Sequence, residues 1–132
     1  MLYVQLNRNI SYRIFSRDNG HYLNPPSGSV IDSGLVEAED ITGKKFDFFM
    51  VPHKATVATA QPVHFKVCLN TTRMNANDVE KLTFDLCCGY FNFGGPIKVP
   101  APVMYAKKIA TYAFENKISE PNRALAFNLH FL

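Results

Sequence analysis

Apolar and polar residues alternate from the first positions of the chain. Val4 and Leu6 fall on one side and Tyr3, Gln5 and Asn7 on the other, the period of two that marks a half-buried strand. After a short polar connection, Tyr12-Arg-Ile-Phe-Ser-Arg17 carries a second strand pattern, and the two together predict a hairpin. Turn chemistry follows at residues 18–20 and at Asn24-Pro-Pro-Ser-Gly28, where proline fixes φ and glycine admits positive φ. Residues 29–32 fit a brief strand, and the polar stretch 33–45 a loop. The strongest strand signals are Phe46-Asp-Phe-Phe-Met-Val51 and Val63-His-Phe-Lys-Val-Cys-Leu69. Residues 53–61 between them are small, rich in Ala and Thr, and show neither period, so they read as a loop.

The period then changes. Val79, Leu82, Thr83, Leu86, Cys87 and Tyr90 share one helical face, with Asn75 or Asn77 as cap and Asp78 and Glu80 in the positive first turn. Gly94-Gly-Pro96 ends that pattern, Ile97-Lys-Val99 is a short extended piece, and Pro100-Ala-Pro102 starts a second helix. Ala106, Ala110, Ala113 and Phe114 give this helix a narrow face suited to lie against a sheet. A turn at 119–123 leads to a tail in which Leu125, Phe127, Leu129 and Phe131 alternate, predicting that it docks on the sheet. Strands followed by helices around one sheet make an α/β or α+β domain.

Composition narrows the function without naming it. The 132 residues are 47% hydrophobic and 19% charged, the size and make-up of one globular domain. With 11 Phe and 6 Tyr the chain is too aromatic to be disordered. No apolar run approaches the ~20 residues of a spanning helix, and the N-terminus lacks the pattern of a secretory signal. The net charge of +3 permits a nucleic-acid partner without requiring one. Cys68, Cys87 and Cys88 are odd in number and lack metal-ligand spacing, which fits free thiols in a reducing compartment. His21, His53, His64 and His130 are dispersed, and no nucleophile elbow, phosphate-binding loop or zinc-protease helix is present. One region is suggestive. Lys98, Lys107, Lys108 and Tyr105 flank Pro-Ala-Pro close to Tyr90 and Asn92, and such cations, aromatics and amides can follow a phosphate backbone. Alternatively, Lys107 and Lys108 are the solvated face of an amphipathic helix.

Several segments, taken in order, resemble the C-terminal end of the PIWI domain of Argonaute-family proteins, specifically the Piwi clade. They are Asn24-Pro-Pro-Ser-Gly-Ser-Val-Ile-Asp32, Phe46-Asp-Phe-Phe49, Gln61-Pro-Val-His-Phe-Lys-Val67, Leu82-Thr-Phe-Asp-Leu-Cys87 with Tyr90, Val99-Pro-Ala-Pro102 with Tyr105-Ala106, and Glu120-Pro-Asn-Arg-Ala-Leu125 running on to Leu132. The resemblance implies an RNase H-like α/β fold, here a mixed sheet with two main helices, and makes residues 1–132 a partial PIWI domain. It implies small guide RNA and complementary target RNA as partners, with silencing-complex proteins and no membrane, in the cytoplasm or nucleus. The family's three acidic catalytic residues belong to a region preceding these segments, so the chain, as a fragment or a truncated product, is expected not to be catalytic by itself.

By the same resemblance His53, Gln61, Tyr90, Asn92, Lys98, Tyr105 and Lys107 are the expected guide-RNA-binding residues. Gln61 and Asn92 stand where an Arg is common in the Argonaute clade. Lys107 follows Tyr105-Ala106, where cleaving members carry a His or Asp metal ligand; an ammonium has three donors and no lone pair. Tyr112 replaces an Arg that grips the guide's 5′ phosphate. The Piwi-clade alternative implies that the carboxylate of Leu132 helps hold Mg²⁺ on that phosphate. Three readings therefore stand: a guide-binding silencing component, part of an RNA-guided endoribonuclease, or a protein-interaction module. A chain lacking its upstream sheet partners is expected to fold poorly alone.

Overall fold

The structure is a computed structural model that describes residues 1–34, 44–120 and 122–132. Its principal sheet has four strands in the order β1-β6-β5-β4, with β1 Leu2–Asn7, β4 Ser29–Ile31, β5 Phe46–Val51 and β6 Val63–Asn70. Two helices, α1 Ala76–Cys88 and α2 Ala101–Asn116, complete the expected α/β architecture. Every pairing among the described strands is antiparallel.

The predicted hairpin between residues 3–7 and 12–17 does not form. β1 pairs instead with β6, Leu6 opposite Phe65 and Asn7 opposite His64. Burial explains the choice: Leu2, Val4 and Leu6 pack against the core beside Val63, Phe65 and Val67, while Arg13, Ser16 and Arg17 offer no matching apolar row. A shorter hairpin, β2 Ser16–Asp18 with β3 His21–Leu23, turns through Asn19 and Gly20. Both have positive φ (46° and 84°), the backbone that a two-residue hairpin turn of matching twist requires.

β5 is buried along its whole length. Phe46, Phe48 and Met50 face α1, and Phe48 stacks on Phe65 at 5.1 Å. On the opposite face Phe49 stacks on His64 at 4.6 Å, and His64 Nε2 meets Asp47 Oδ2 at 2.7 Å. α1 starts at Asn75, whose side chain accepts from the Asp78 N–H while Asp78 accepts from the Asn75 N–H, a reciprocal capping box. Val79, Thr83 and Cys87 form its buried row; Leu82 and Leu86 lie at the exposed margin of the predicted face.

The C-terminal third departs furthest from the pattern. α1 ends at Gly89, ahead of Gly94-Gly-Pro96, and residues 97–99 form no strand. α2 does not lie on the sheet: only Ala101 of its residues is buried, Ala106 and Ala110 are exposed, and its neighbour among the elements is α1. The tail is a series of turns rather than a strand, and it docks on α2 through Phe131 against Tyr105 and His130 against Tyr112. α1 already occupies the core face of the sheet, which leaves α2 and the tail to cover one another. The loop expected over 33–45 falls mostly outside the described residues.

Candidate nucleic-acid interface

The aperiodic loop 53–61 owes its shape to one side chain from another segment. Asn24 Nδ2 donates to the carbonyls of Ala55 (3.2 Å) and Ala58 (2.9 Å), and Asn24 Oδ1 accepts from the Ala60 N–H at 2.8 Å. Ser27 Oγ donates to the Pro52 carbonyl at the start of the loop. Gln61 then joins three remote segments. Its Nε2 donates to the Ile10 carbonyl (3.1 Å), and its Oε1 accepts from Lys98 Nζ (2.7 Å).

Lys98 is the centre of a cationic cluster. Burial, and then Arg8 and Arg13, hold its amine below the usual lysine range. Burial, and then Lys98, push the His53 imidazole below its ordinary value, and His53 Nδ1 is buried without a hydrogen-bond partner. Arg13 Nη1 donates to the carbonyls of Ser11 (3.3 Å) and Tyr12 (2.9 Å), which fixes its guanidinium near the chain. Arg8 also lines a hollow with Leu6, Val99, Val103, Met104 and Lys107, so the cations continue onto α2. Among the described residues an ion pair joins His64 to Asp47; none involves Arg8, Arg13, Lys98 or Lys107. Four cations and an imidazole whose Nδ1 lacks a partner are gathered without a counter-charge among the described residues.

A second group lies at the α1–α2 junction. Tyr90 and Tyr105 rings are 5.5 Å apart, and Lys108 Nζ stands 5.9 Å from the Tyr90 centroid. The Tyr105 hydroxyl accepts from the Phe91 N–H (2.9 Å) and donates to the Gly89 carbonyl (3.3 Å). Of the expected residues, the fold thus brings His53, Gln61 and Lys98 together, pairs Tyr90 with Tyr105, and connects Lys107 to the first group through Arg8. Asn92 projects from the exposed junction loop. Arg8 and Arg13 were not singled out from the sequence. The available signal was two arginines bracketing a polar connection after an amphipathic strand.

Leu132 is half-buried at the end of the tail. Its neighbour Phe131 lines a second hollow with Lys107, Lys108, Thr111, Tyr112 and Glu115. Among the described residues no group of three His, Cys, Asp or Glu is placed to hold an ion. The donor set fits Mg²⁺ only with help: a carboxylate at Leu132 is a hard oxygen ligand, and Mg²⁺ commonly completes its shell with phosphate oxygens and water. Elsewhere, burial and then Cys88 raise the thiol of Cys87 to about 12, so it stays protonated as a core residue. No helix among the described residues is long and apolar enough to cross a membrane.

Fold and site define an α/β domain with a cationic face that no described carboxylate pairs with. Comparison with known proteins gives the family: the Piwi domain model matches residues 1–117, and the chain belongs to that family. It is 34% identical over 132 residues to Piwi-like protein 3 of Homo sapiens, spanning 100% of this chain and 14% of that protein. It is 30% identical over 132 residues to Protein piwi of Drosophila melanogaster, spanning 100% of this chain and 15% of that protein. The crystal structure of Drosophila Piwi superposes with a TM-score of 0.84 at 30% identity, over 99% of this chain and 17% of that one. That of Kluyveromyces polysporus Argonaute with a guide RNA gives 0.77 at 20% identity, over 99% and 18%, a likeness of fold. The chain therefore spans about one seventh of the curated relatives it matches.

Proposed function

We propose that the chain binds the sugar-phosphate backbone of a small guide RNA, and of the target strand paired to it, as the C-terminal part of a Piwi-like silencing protein. Residues 1–132 are, on this reading, a partial PIWI domain that is not catalytic by itself. One observation carries the proposal: burial, and then the nearby Arg8 and Arg13, lower the Lys98 amine, and no described carboxylate pairs with these three cations. Such a cluster is relieved by an anion, and a row of cations suits a polyanion. Gln61 and Tyr105 act as positioning residues, Gln61 through Lys98 and Tyr105 through the 89–91 backbone.

Mg²⁺ belongs to this reading at the guide's 5′ phosphate, where it would neutralise charge between that phosphate and the Leu132 carboxylate. A short peptide added after Leu132 should then abolish any Mg²⁺-dependent preference for 5′-phosphorylated over unphosphorylated RNA. Retention of that preference would remove Leu132 from the site.

The direct test is binding of a labelled single-stranded RNA by the protein and by its Arg8→Ala/Arg13→Ala double variant. The variant should bind at least tenfold more weakly at about 0.1 M salt, given charged hydrogen bonds worth roughly 1.5–3 kcal/mol each. Equal binding would refute the reading. A catalytic role in a longer protein would require a metal ligand where Lys107 offers a charged ammonium. Efficient metal-dependent cleavage of guide-complementary RNA with Lys107 unaltered would establish that alternative.

A further inference from the structure

A further hollow of about 340 Å³ opens between the C-terminal half of α2 and the tail, and shares no residue with the cationic cluster. Its walls are apolar: Ile109, Ala110 and Ala113 from α2, Ile118 just past it, and Leu125 from the tail. The backbone on both sides is held. Lys117 adopts the left-handed conformation (φ 52°), and the Lys117 and Ile118 N–H groups close the helix end on the Phe114 and Ala113 carbonyls at 3.3 and 2.9 Å. In the tail, the Leu125 N–H donates to the Asn122 carbonyl at 2.9 Å, and Asn128 Nδ2 to the Ala124 carbonyl at 3.1 Å.

The polar groups of this hollow have one sense. Glu120 lines it and forms no ion pair with a described residue, and no described lysine or arginine lines it. His130 Nδ1 meets two carbonyls, those of Leu125 and Asn128, both at 3.1 Å, so this nitrogen carries a proton and donates to them. The neutral ring then offers its Nε2 lone pair as an acceptor. Tyr112, edge-on to His130 at 5.8 Å, adds a π-face. In a chain of net charge +3, a carboxylate, an acceptor and two rings are gathered around an apolar space. An anionic polymer is repelled here; a cation on an aliphatic stem is matched.

An adjoining hollow shares Ala113, Ile118 and Ser119 with the first and adds Phe114, Glu115 and Lys117. Phe114 is 86% exposed there. The two make a groove at the end of α2 with an acceptor-lined half and an aromatic half. No single side chain covers both halves, whereas a short stretch of polypeptide does.

We propose that this groove docks a protein partner through a peptide segment in which an arginine stands next to an apolar residue. The arginine stem lies along the Ile109–Ala113–Leu125 walls, its guanidinium donates to Glu120 and to His130 Nε2, and the apolar neighbour covers Phe114. Arginine suits the site better than lysine because its planar head donates in several directions and stacks on rings. The site is separate from the RNA-binding reading and does not depend on it.

The test measures, by fluorescence anisotropy, a fluorescein-labelled peptide Gly-Leu-Arg-Leu-Gly against the same peptide with citrulline, which keeps the shape and loses the charge. The arginine peptide should bind about tenfold more tightly, as a charged hydrogen bond provides. Glu120→Gln should bring the two peptides level without changing the citrulline affinity. Ala110→Leu fills the hollow from an exposed helical position and should weaken both peptides, and Phe114→Ala should weaken both equally. All three variants should bind unphosphorylated single-stranded RNA as the parent does, so the two readings fail separately. Equal binding of arginine and citrulline peptides, or no binding at millimolar peptide, would overturn the proposal. So would parent-like arginine-peptide binding by both Glu120→Gln and Ala110→Leu. Displacement by spermidine at the peptide's own concentration would make this a small-cation site, and self-association lost in Ala110→Leu would assign the groove to a second copy; either result overturns peptide docking.

Discussion

Replacing Lys98 by Met tests the cationic face quantitatively, because the structure separates its effect on stability from its effect on binding. Lys98 is partly desolvated, its ammonium is repelled by Arg8 and Arg13, and it donates a hydrogen bond to Gln61 Oε1 at 2.7 Å. Removing it relieves the repulsion and leaves Gln61 short of a donor, a loss of about 1 kcal/mol. The two effects oppose each other, so the melting temperature should move by no more than a few degrees. Binding has no such compensation. If Arg8, Arg13, Lys98 and Lys107 each meet one phosphate of a single strand, log K should fall against log salt with a slope of about −2.8. A rise from 50 to 200 mM salt then weakens binding by about 50-fold. With three cations the slope becomes about −2.1 and the loss about 20-fold. Fluorescence anisotropy at four or five salt concentrations measures both slopes. An unchanged slope in Lys98→Met, with the protein still folded, would show that no phosphate sits at Lys98.

Phe48→Ala empties the middle of the Phe46–Phe48–Phe65 stack and should lower unfolding stability by about 3–5 kcal/mol in urea titrations. Glu80 is pushed up, by burial and then by Asp32, and its Oε1 is buried without a partner. A raised acid favours the folded state at pH values below the unfolded carboxyl range, and that advantage is lost as pH rises through the raised value. Glu80→Gln should therefore melt higher than the parent at pH 7, and the gain should shrink towards pH 4. His53 is neutral more readily than an ordinary histidine, and a bound phosphate would favour its charged form. RNA affinity should consequently rise by severalfold as pH falls from about 7 to 5.5 with uptake of a proton, a gain that His53→Ala removes and calorimetry in two buffers would detect.

Local pattern located β5, β6 and both helices because each carries a long, self-consistent period. It misjudged the partner of β1, since alternation states which side of a strand is buried but not which neighbour buries it. The helical face of α1 is legible through Val79, Thr83 and Cys87, whereas Leu82 and Leu86 of the same face stand at its exposed edge, a distinction the period alone does not make. For α2 the small residues suggested close packing, yet Ala106 and Ala110 face water because α1 had already taken the sheet's surface. In the candidate site, His53 and Gln61 came from the resemblance alone, whereas Lys98 and Lys107 were also suggested by residue chemistry. Arg8 and Arg13 escaped notice because their relevance is created by tertiary proximity to Lys98, which no local window contains.

The bridge through Gln61 links positions that are free to drift apart in a linear text but not in space. With 2.7 Å between the two side-chain ends, position 61 accepts from the ammonium at 98, and a second cation at 61 would meet that ammonium without an intervening acceptor. Positions 61 and 98 are thus one compound choice, a neutral acceptor with a cation or a cation with a neutral partner. Across the family, substitutions at the two should travel as a pair, and Gln61→Arg alone should be repaired by Lys98→Ser.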